Sequence, residues 1–234
     1  MNKEQEAKAL DLMAIVSHEL MSPVATIHTT VDTLRGGYFG EFSPEQRKGL
    51  ETILRNCQYL EDIICCYTDL VKMELDDIAF KQGPIDFAKD VVEVIVNRPE
   101  YQGNLKTMPI ATAYSPIPPV MGDADPLKIT VNNLLNNAIK YGNPGSIVKI
   151  GVFQEGDFAV LSIRNEGPGI AAEDIQNRLF KRFERLKQKG TEGVKGSGLG
   201  LYICRQIVEK HGGRIEARSD GQSFTEFRVY LKFV

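Results

Sequence analysis

A chain of 234 residues is long enough for one large domain or two ordinary ones, each with its own core. A net charge of −3 without a Lys/Arg stripe argues against nucleic acid as a ligand, and no apolar run approaches the ~20 residues needed to span a bilayer. The polar start, Met1 to Lys8, is not followed by a signal-peptide core. The expectation is a cytoplasmic chain, attached to a membrane only through segments outside it. Cys57, Cys65, Cys66 and Cys204 form no CxxC pair, so zinc is not expected, and Cys57 and Cys204 fall on helical patterns as core residues.

The first half reads as two long helices. Leu10, Met13, Ser17, Leu20, Val24, Ile27, Val31 and Leu34 recur at alternating three- and four-residue steps, a heptad seam with one polar member. Gly36 and Gly37 stop it. After Ser43 and Pro44, suited to a cap and a first helical turn, a second seam runs through Leu50, Ile53, Cys57, Leu60, Ile64, Tyr67 and Val71, widened by Leu54, Ile63 and Leu70. A hairpin with stripes this wide cannot cover its own apolar surface. A homodimeric four-helix bundle through residues 10–71 solves that. A plain coiled-coil dimeriser has the same periodicity.

His18 follows Ser17 and is turned roughly 100° from it, beside the seam. The run Ser17-His18-Glu19-Leu20-Met21-Ser22-Pro23 resembles the phospho-acceptor box of histidine kinase dimerisation domains, usually S-H-E-L-R-T-P-L. The chemistry is consistent. Neutral imidazole is a good nucleophile near pH 7, and Glu19 can accept from the other ring nitrogen to fix the tautomer. Ser22, one turn on, can orient a water for dephosphorylation of a partner, and Pro23 should bend the helix. Met21 replaces the family's usual basic residue and Ser22 its usual Thr. His28 reads as a surface residue.

Gly83-Pro84 marks residues 79–86 as a linker between a domain at 1–78 and one at 87–234. Beyond it come a helix from Phe87 to Val96, a strand from Thr107 to Tyr114, a helix from Leu127 to Tyr141, and a hairpin of strands, Val148 to Gln154 and Phe158 to Asn165. A helix from Leu199 to His211 and strands from Arg214 to Ser219 and Thr225 to Phe233 complete the pattern. The order predicts an α+β sandwich with a mixed sheet and helices on one face.

Four motifs lie in this half. In the first, Asn133 and Asn137 share one helical face, and their amide oxygens are hard neutral ligands suited to Mg²⁺ bridging triphosphate oxygens. Lys140 can reach a phosphate and Tyr141 can lie against the adenosine. A capped surface helix is the plainer reading. The second is Asn165-Glu166-Gly167-Pro168-Gly169-Ile170, where glycines let backbone approach a ligand. The third, Leu179-Phe180-Lys181-Arg182-Phe183, supplies phenylalanines that pack into the core and anchor a mobile polar stretch, Arg185 to Lys195. The fourth, Lys195 and Gly196-Ser197-Gly198-Leu199-Gly200, opens a helix and can bind phosphate through backbone N–H groups. His211-Gly212-Gly213 reads as the C-cap of that helix.

In this order the four resemble the ATP-binding fold shared by histidine kinases, Hsp90, gyrase and MutL, and the preceding box selects the histidine kinases. The resemblance implies Mg-ATP as cofactor, Asn137 as the leading metal ligand with Asn133 beside it, and a response regulator receiver domain as partner. The family usually has Asp where Asn165 stands; Asn keeps an acceptor for the adenine amino group, loses the charge, and can also face a guanine carbonyl. A nucleotide-sensing pseudokinase or scaffold and a phosphatase-dominated enzyme are the alternatives.

Overall fold

The computed structural model describes residues 3–36, 40–74, 81–99, 101, 108–186 and 196–234. It divides into two compact units, a helical hairpin and an α+β unit.

The hairpin consists of α1 (Lys3–Arg35) and α2 (Pro44–Glu74). Ser43 begins α2 with a reciprocal cap: its Oγ accepts the Gln46 N–H at 3.3 Å, and Gln46 Oε1 accepts the Ser43 N–H at 2.8 Å. Pro44, which has no N–H to satisfy, follows. Pro23 lies inside α1 and brings no N–H to the helical ladder, while Thr26, Thr30 and Thr33 donate to carbonyls four residues back. Both features bend helices.

The expected single seam resolves into two stripes. Val24, Val31 and Cys57 are buried within the hairpin, whereas Val16, Leu20, Ile27, Ile53 and Leu60 are 40–50% exposed. Each helix carries adjacent apolar stripes, and one neighbouring helix covers one of them. His28 is half-buried and sits 3.8 Å from the Asp32 carboxylate.

The α+β unit begins with β1 (Gly83–Ile85), which pairs antiparallel with β3 (Val120–Gly122). The segment expected as a linker therefore contains a strand; three residues are too few to show a period. Next comes α3, π-helical over Phe87–Glu93 and α-helical over Val94–Val96. Asp86 caps it by accepting the Lys89 N–H at 3.1 Å. Then follow β2 (Ile110–Tyr114), α4 (Ala124–Tyr141), β4 (Val148–Glu155), β5 (Phe158–Glu166), α5 (Ala172–Asn177), α6 (Gly200–Lys210), β6 (Arg214–Ser219) and β7 (Phe224–Lys232). Thr107, expected to open β2, lies outside the described residues.

The large sheet runs β2-β4-β5-β7-β6; β2 is parallel to β4 and the other pairs are antiparallel. Register places Ile150, Ile163 and Phe227 on one face and Lys149, Arg164 and Glu226 on the other. The apolar face meets α4 and α6, whose Leu134, Leu135, Ile203 and Ile207 are almost wholly buried. Cys204 is buried there too, as its helical position predicted. Alternation of period two along the strands and 3.6 along the helices thus builds one closed core.

Candidate functional site

His18 lies on α1, and its side chain is outside the described residues. Glu19 and Ser22 are exposed on the same helix, and the Ser22 carbonyl accepts the Thr26 hydroxyl at 2.9 Å.

In the α+β unit the expected motifs converge around α4. Asp123 caps that helix by accepting the Asp125 N–H at 3.1 Å. Four asparagines follow as two pairs. Asn132 and Asn136 face the Tyr101 hydroxyl, at 2.7 and 2.8 Å. Asn133 and Asn137 occupy the adjoining strip and are partly exposed. A Cβ added to Gly200, the first residue of α6, would come 3.2 Å from Asn133 Oδ1. The end of the glycine-rich loop therefore lies beside the Asn133 amide.

Lys140 and Tyr141 are partly exposed at the other end of α4. Burial raises the Tyr141 hydroxyl above its ordinary pKa, and the Arg185 charge opposes the shift. The chain then turns back onto β5, where the Asn143 N–H donates to the Glu166 carbonyl at 2.8 Å. A Cβ on Gly167 would lie 2.4 Å from the Tyr141 carbonyl oxygen. Gly169 has φ +67°, and a Cβ there would meet the Gln222 backbone nitrogen at 2.3 Å. These glycines were expected to admit a ligand; a Cβ on either would first meet protein backbone, and on Gly167 also the Asn165 side-chain amide. The Ile170 N–H likewise donates to Ser219 Oγ at 2.8 Å, and the Ile170 side chain is buried.

Asn165 is 3% exposed at the end of β5, across from the buried Thr225 of β7. Its amide nitrogen donates to the Glu166 carbonyl at 3.3 Å. The donor end of the amide is thus turned to its own backbone, and the oxygen end is the one suited to accept from a base.

In the glycine-rich loop, Lys195 lies outside the described residues, and Gly196 and Ser197 are partly exposed. Gly198 has φ +72° and accepts the Phe183 N–H at 3.0 Å. The Leu199 side chain is buried, so only its backbone can serve a ligand. Phe180 packs edge-on against Phe227, with ring centroids 6.5 Å apart. Phe183 departs from the expectation of core packing: it is 60% exposed and holds φ +62°, a conformation that costs a non-glycine residue strain.

Among the described residues no cluster of three or more His, Cys, Asp or Glu side chains could hold a metal. The Asn133 and Asn137 amide oxygens are hard neutral donors of the kind that could serve Mg²⁺. Also among the described residues, no helix is long and apolar enough to cross a membrane.

Two family models match the chain: the His Kinase A (phospho-acceptor) domain over residues 8–75, and the histidine kinase-, DNA gyrase B- and HSP90-like ATPase over residues 122–234. The chain belongs to the sensor histidine kinases. The KdpD sensor protein of Clostridium acetobutylicum is 31% identical over 97% of this chain and 25% of its own length. The BaeS histidine kinase of Escherichia coli K12 is 30% identical over 93% of this chain and 45% of its own. This histidine kinase core spans about a quarter to a half of such relatives. Among solved structures, full-length ShkA in complex with AMPPNP superimposes with a TM-score of 0.66 at 21% identity, covering 96% of this chain and 46% of ShkA. The mycobacterial sensor kinase MprB gives 0.55 at 28% identity, covering 64% of this chain and 97% of MprB.

The kinase core also holds site-supporting residues that sequence reasoning missed. Ser219 receives Ile170. Asp220 accepts from the Ser223 hydroxyl and from the backbone N–H groups of Ser223, Gln222 and Phe224, which hold its carboxyl well below the usual carboxylate range. Together they shape the turn on which Gly169 rests. His211, expected only as a C-cap, also accepts the Asp123 N–H through Nε2 at 3.0 Å, while its Nδ1 lies 2.7 Å from the Ile207 carbonyl. It ties the end of α6 to the start of α4. A serine and an aspartate in a polar turn carry no sequence signal of such work.

Proposed function

We propose that this core autophosphorylates His18 from Mg-ATP and passes the phosphate to an aspartate of a response regulator receiver domain, acting as a cytoplasmic homodimer. The observation that carries the reading is the convergence of Asn133, the Tyr141 carbonyl, Asn165 with Gly167, and Gly200 around one helix of the α+β unit. Asn165 accepts from the adenine amino group. The Tyr141 ring lies against the adenosine, and Lys140, Lys195 and the backbone of residues 196–200 contact the phosphates. Asn137 and Asn133 would hold Mg²⁺, which when bound would neutralise charge on the phosphates.

Phosphoryl transfer depends on positioning and charge neutralisation. The catalytic unit presents the γ-phosphate to His18, with movement in the part of the 79–86 segment that precedes β1. Glu19 accepts a hydrogen bond from the ring N–H of His18, which keeps the other ring nitrogen unprotonated as the nucleophile. The bond from the γ-phosphorus to the β,γ-bridging oxygen breaks as the N–P bond forms, and ADP leaves. Ser22 orients a water for the phosphatase function, in which that water cleaves the aspartyl phosphate of the partner receiver domain and releases inorganic phosphate.

Incubation with γ-labelled ATP tests this. The wild type is expected to take up acid-labile, base-stable label. Stable label on Ser, or no label despite ATP binding in calorimetry, contradicts the proposal; the second result makes the chain a nucleotide-sensing scaffold.

A further inference from the structure

Ser17 and Thr68 meet across the hairpin with 2.6 Å between their hydroxyl oxygens. Thr68 Oγ1 also donates to the Ile64 carbonyl at 2.7 Å. A threonine hydroxyl has one proton, so the bond across the hairpin is directed: Ser17 donates and Thr68 accepts. The positions that continue this stripe are apolar. Val24 and Val31 follow Ser17 at heptad spacing on α1 and are buried, as is Cys57 on α2.

A second packing of α1 competes with this one. Val16 and Leu20 sit on the adjoining stripe, 40% and 50% exposed. Rotating α1 to turn them toward α2 would exchange them for Val24 and Val31 and leave an apolar seam within the hairpin. It would also strip the Ser17 hydroxyl of its partner at a half-buried position. A single polar layer in an apolar seam sets register in this way, at some cost in stability.

His18 is the next residue, and on a helix its azimuth is fixed at roughly 100° from Ser17. We infer that the Ser17–Thr68 hydroxyl pair is a positioning device: it fixes the rotational register of α1 on α2 and hence the direction from which residue 18 meets the γ-phosphate. The inference rests on His18 being the phospho-acceptor. Neither hydroxyl takes part in the chemistry. Thr68 lies 51 residues from Ser17 on the other helix, so its effect on transfer must pass through α1.

The test is the initial rate of labelling from γ-labelled ATP, over a range of ATP concentrations, for Ser17→Ala, Thr68→Val, the double variant, and the conservative Ser17→Thr and Thr68→Ser. Helix content and thermal unfolding are followed for each. Misplaced reacting groups lose up to about a hundredfold in rate, and a loss of roughly tenfold in kcat is expected for each single deletion. KM for ATP is expected to stay unchanged, because Asn133, Asn137, Asn165 and Gly200 all lie in the other unit. The double variant is no worse than either single, and Thr68→Ser restores wild-type kcat. Unchanged kcat in both deletions overturns the inference. So does a loss in Ser17→Ala alone, which makes the effect local to His18, or a loss that merely tracks helix content. A wild type that takes no label on His18 instead removes the underlying phospho-acceptor reading.

Discussion

The two units bury their apolar residues differently. In the α+β unit Val91, Val92, Leu134, Val160 and Val229 have no exposure at all, and the core is closed by the unit's own helices and sheet. In the hairpin three apolar side chains are buried, among the described residues, while a parallel stripe of Val, Leu and Ile stays about half open. The first unit is complete as a single chain. The second has apolar surface left over, at heptad spacing, on both helices. A nucleotide site needs a rigid cradle that does not depend on assembly; a phospho-acceptor helix does not, and can be built into an interface whose packing responds to an incoming signal.

The sharpest way to break this contrast is to charge the open stripe. Leu60→Glu places a carboxylate where a second hairpin is expected to pack, which costs several kcal/mol when unpaired. Analytical ultracentrifugation is expected to show a dimeric wild type and a monomeric variant at micromolar concentration, with ATP affinity unaltered. A monomeric wild type contradicts the assembly. Leu134→Ala does the reverse. Its side chain is fully buried, so the α+β unit is expected to lose about 2–5 kcal/mol in denaturant unfolding while the dimer persists.

Smaller effects sharpen the comparison within the nucleotide site. Asn137→Ala removes a neutral oxygen ligand and is expected to weaken Mg²⁺-dependent ATP binding tenfold or more, about 1.4 kcal/mol. Calorimetry with and without Mg²⁺ checks it, and equal affinities in the variant and the wild type would remove Asn137 as a ligand. Asn165→Asp converts a neutral acceptor into a charged one and is expected to tighten ATP binding several-fold, about 1 kcal/mol. The same change puts a carboxylate at a 3% exposed position, so the nucleotide-free protein should be less stable than wild type. Titration with ATP, ADP and GTP reads the first effect; a wild type that prefers GTP overturns the adenine assignment.

Periodicity made the large elements legible. The heptads of α1 and α2, the amphipathic α4 and α6, and the β4–β5 hairpin around Gly156 all follow from spacing and punctuation. What it did not reveal was set by contacts distant in sequence. β1 and β3 are three residues each and exist because they pair with one another. Two apolar stripes in each helix look like one wide seam until the neighbour covers only the Val24–Val31 side. Phe183 is as apolar as Phe180, yet its backbone is held at positive φ beside Gly198, which turns its ring outward. In the candidate site, Asn133, Asn137 and Asn165 stand out in the sequence because short motifs carry them. Tyr101, Ser219, Asp220 and His211 do not: Tyr101, Ser219 and His211 each reach at least one partner far along the chain, and Asp220 gathers the N–H groups of its own turn, which leaves no pattern in the sequence.

The central claim is that the complete α+β unit exists to phosphorylate one residue of the incomplete hairpin. Mass spectrometry at neutral to alkaline pH, after incubation with Mg-ATP, locates the phosphate directly. The expected result is a single phosphate on His18, absent from a His18→Ala variant that binds ATP as tightly as wild type. Phosphate on another residue, or undiminished phosphorylation in His18→Ala, would contradict it.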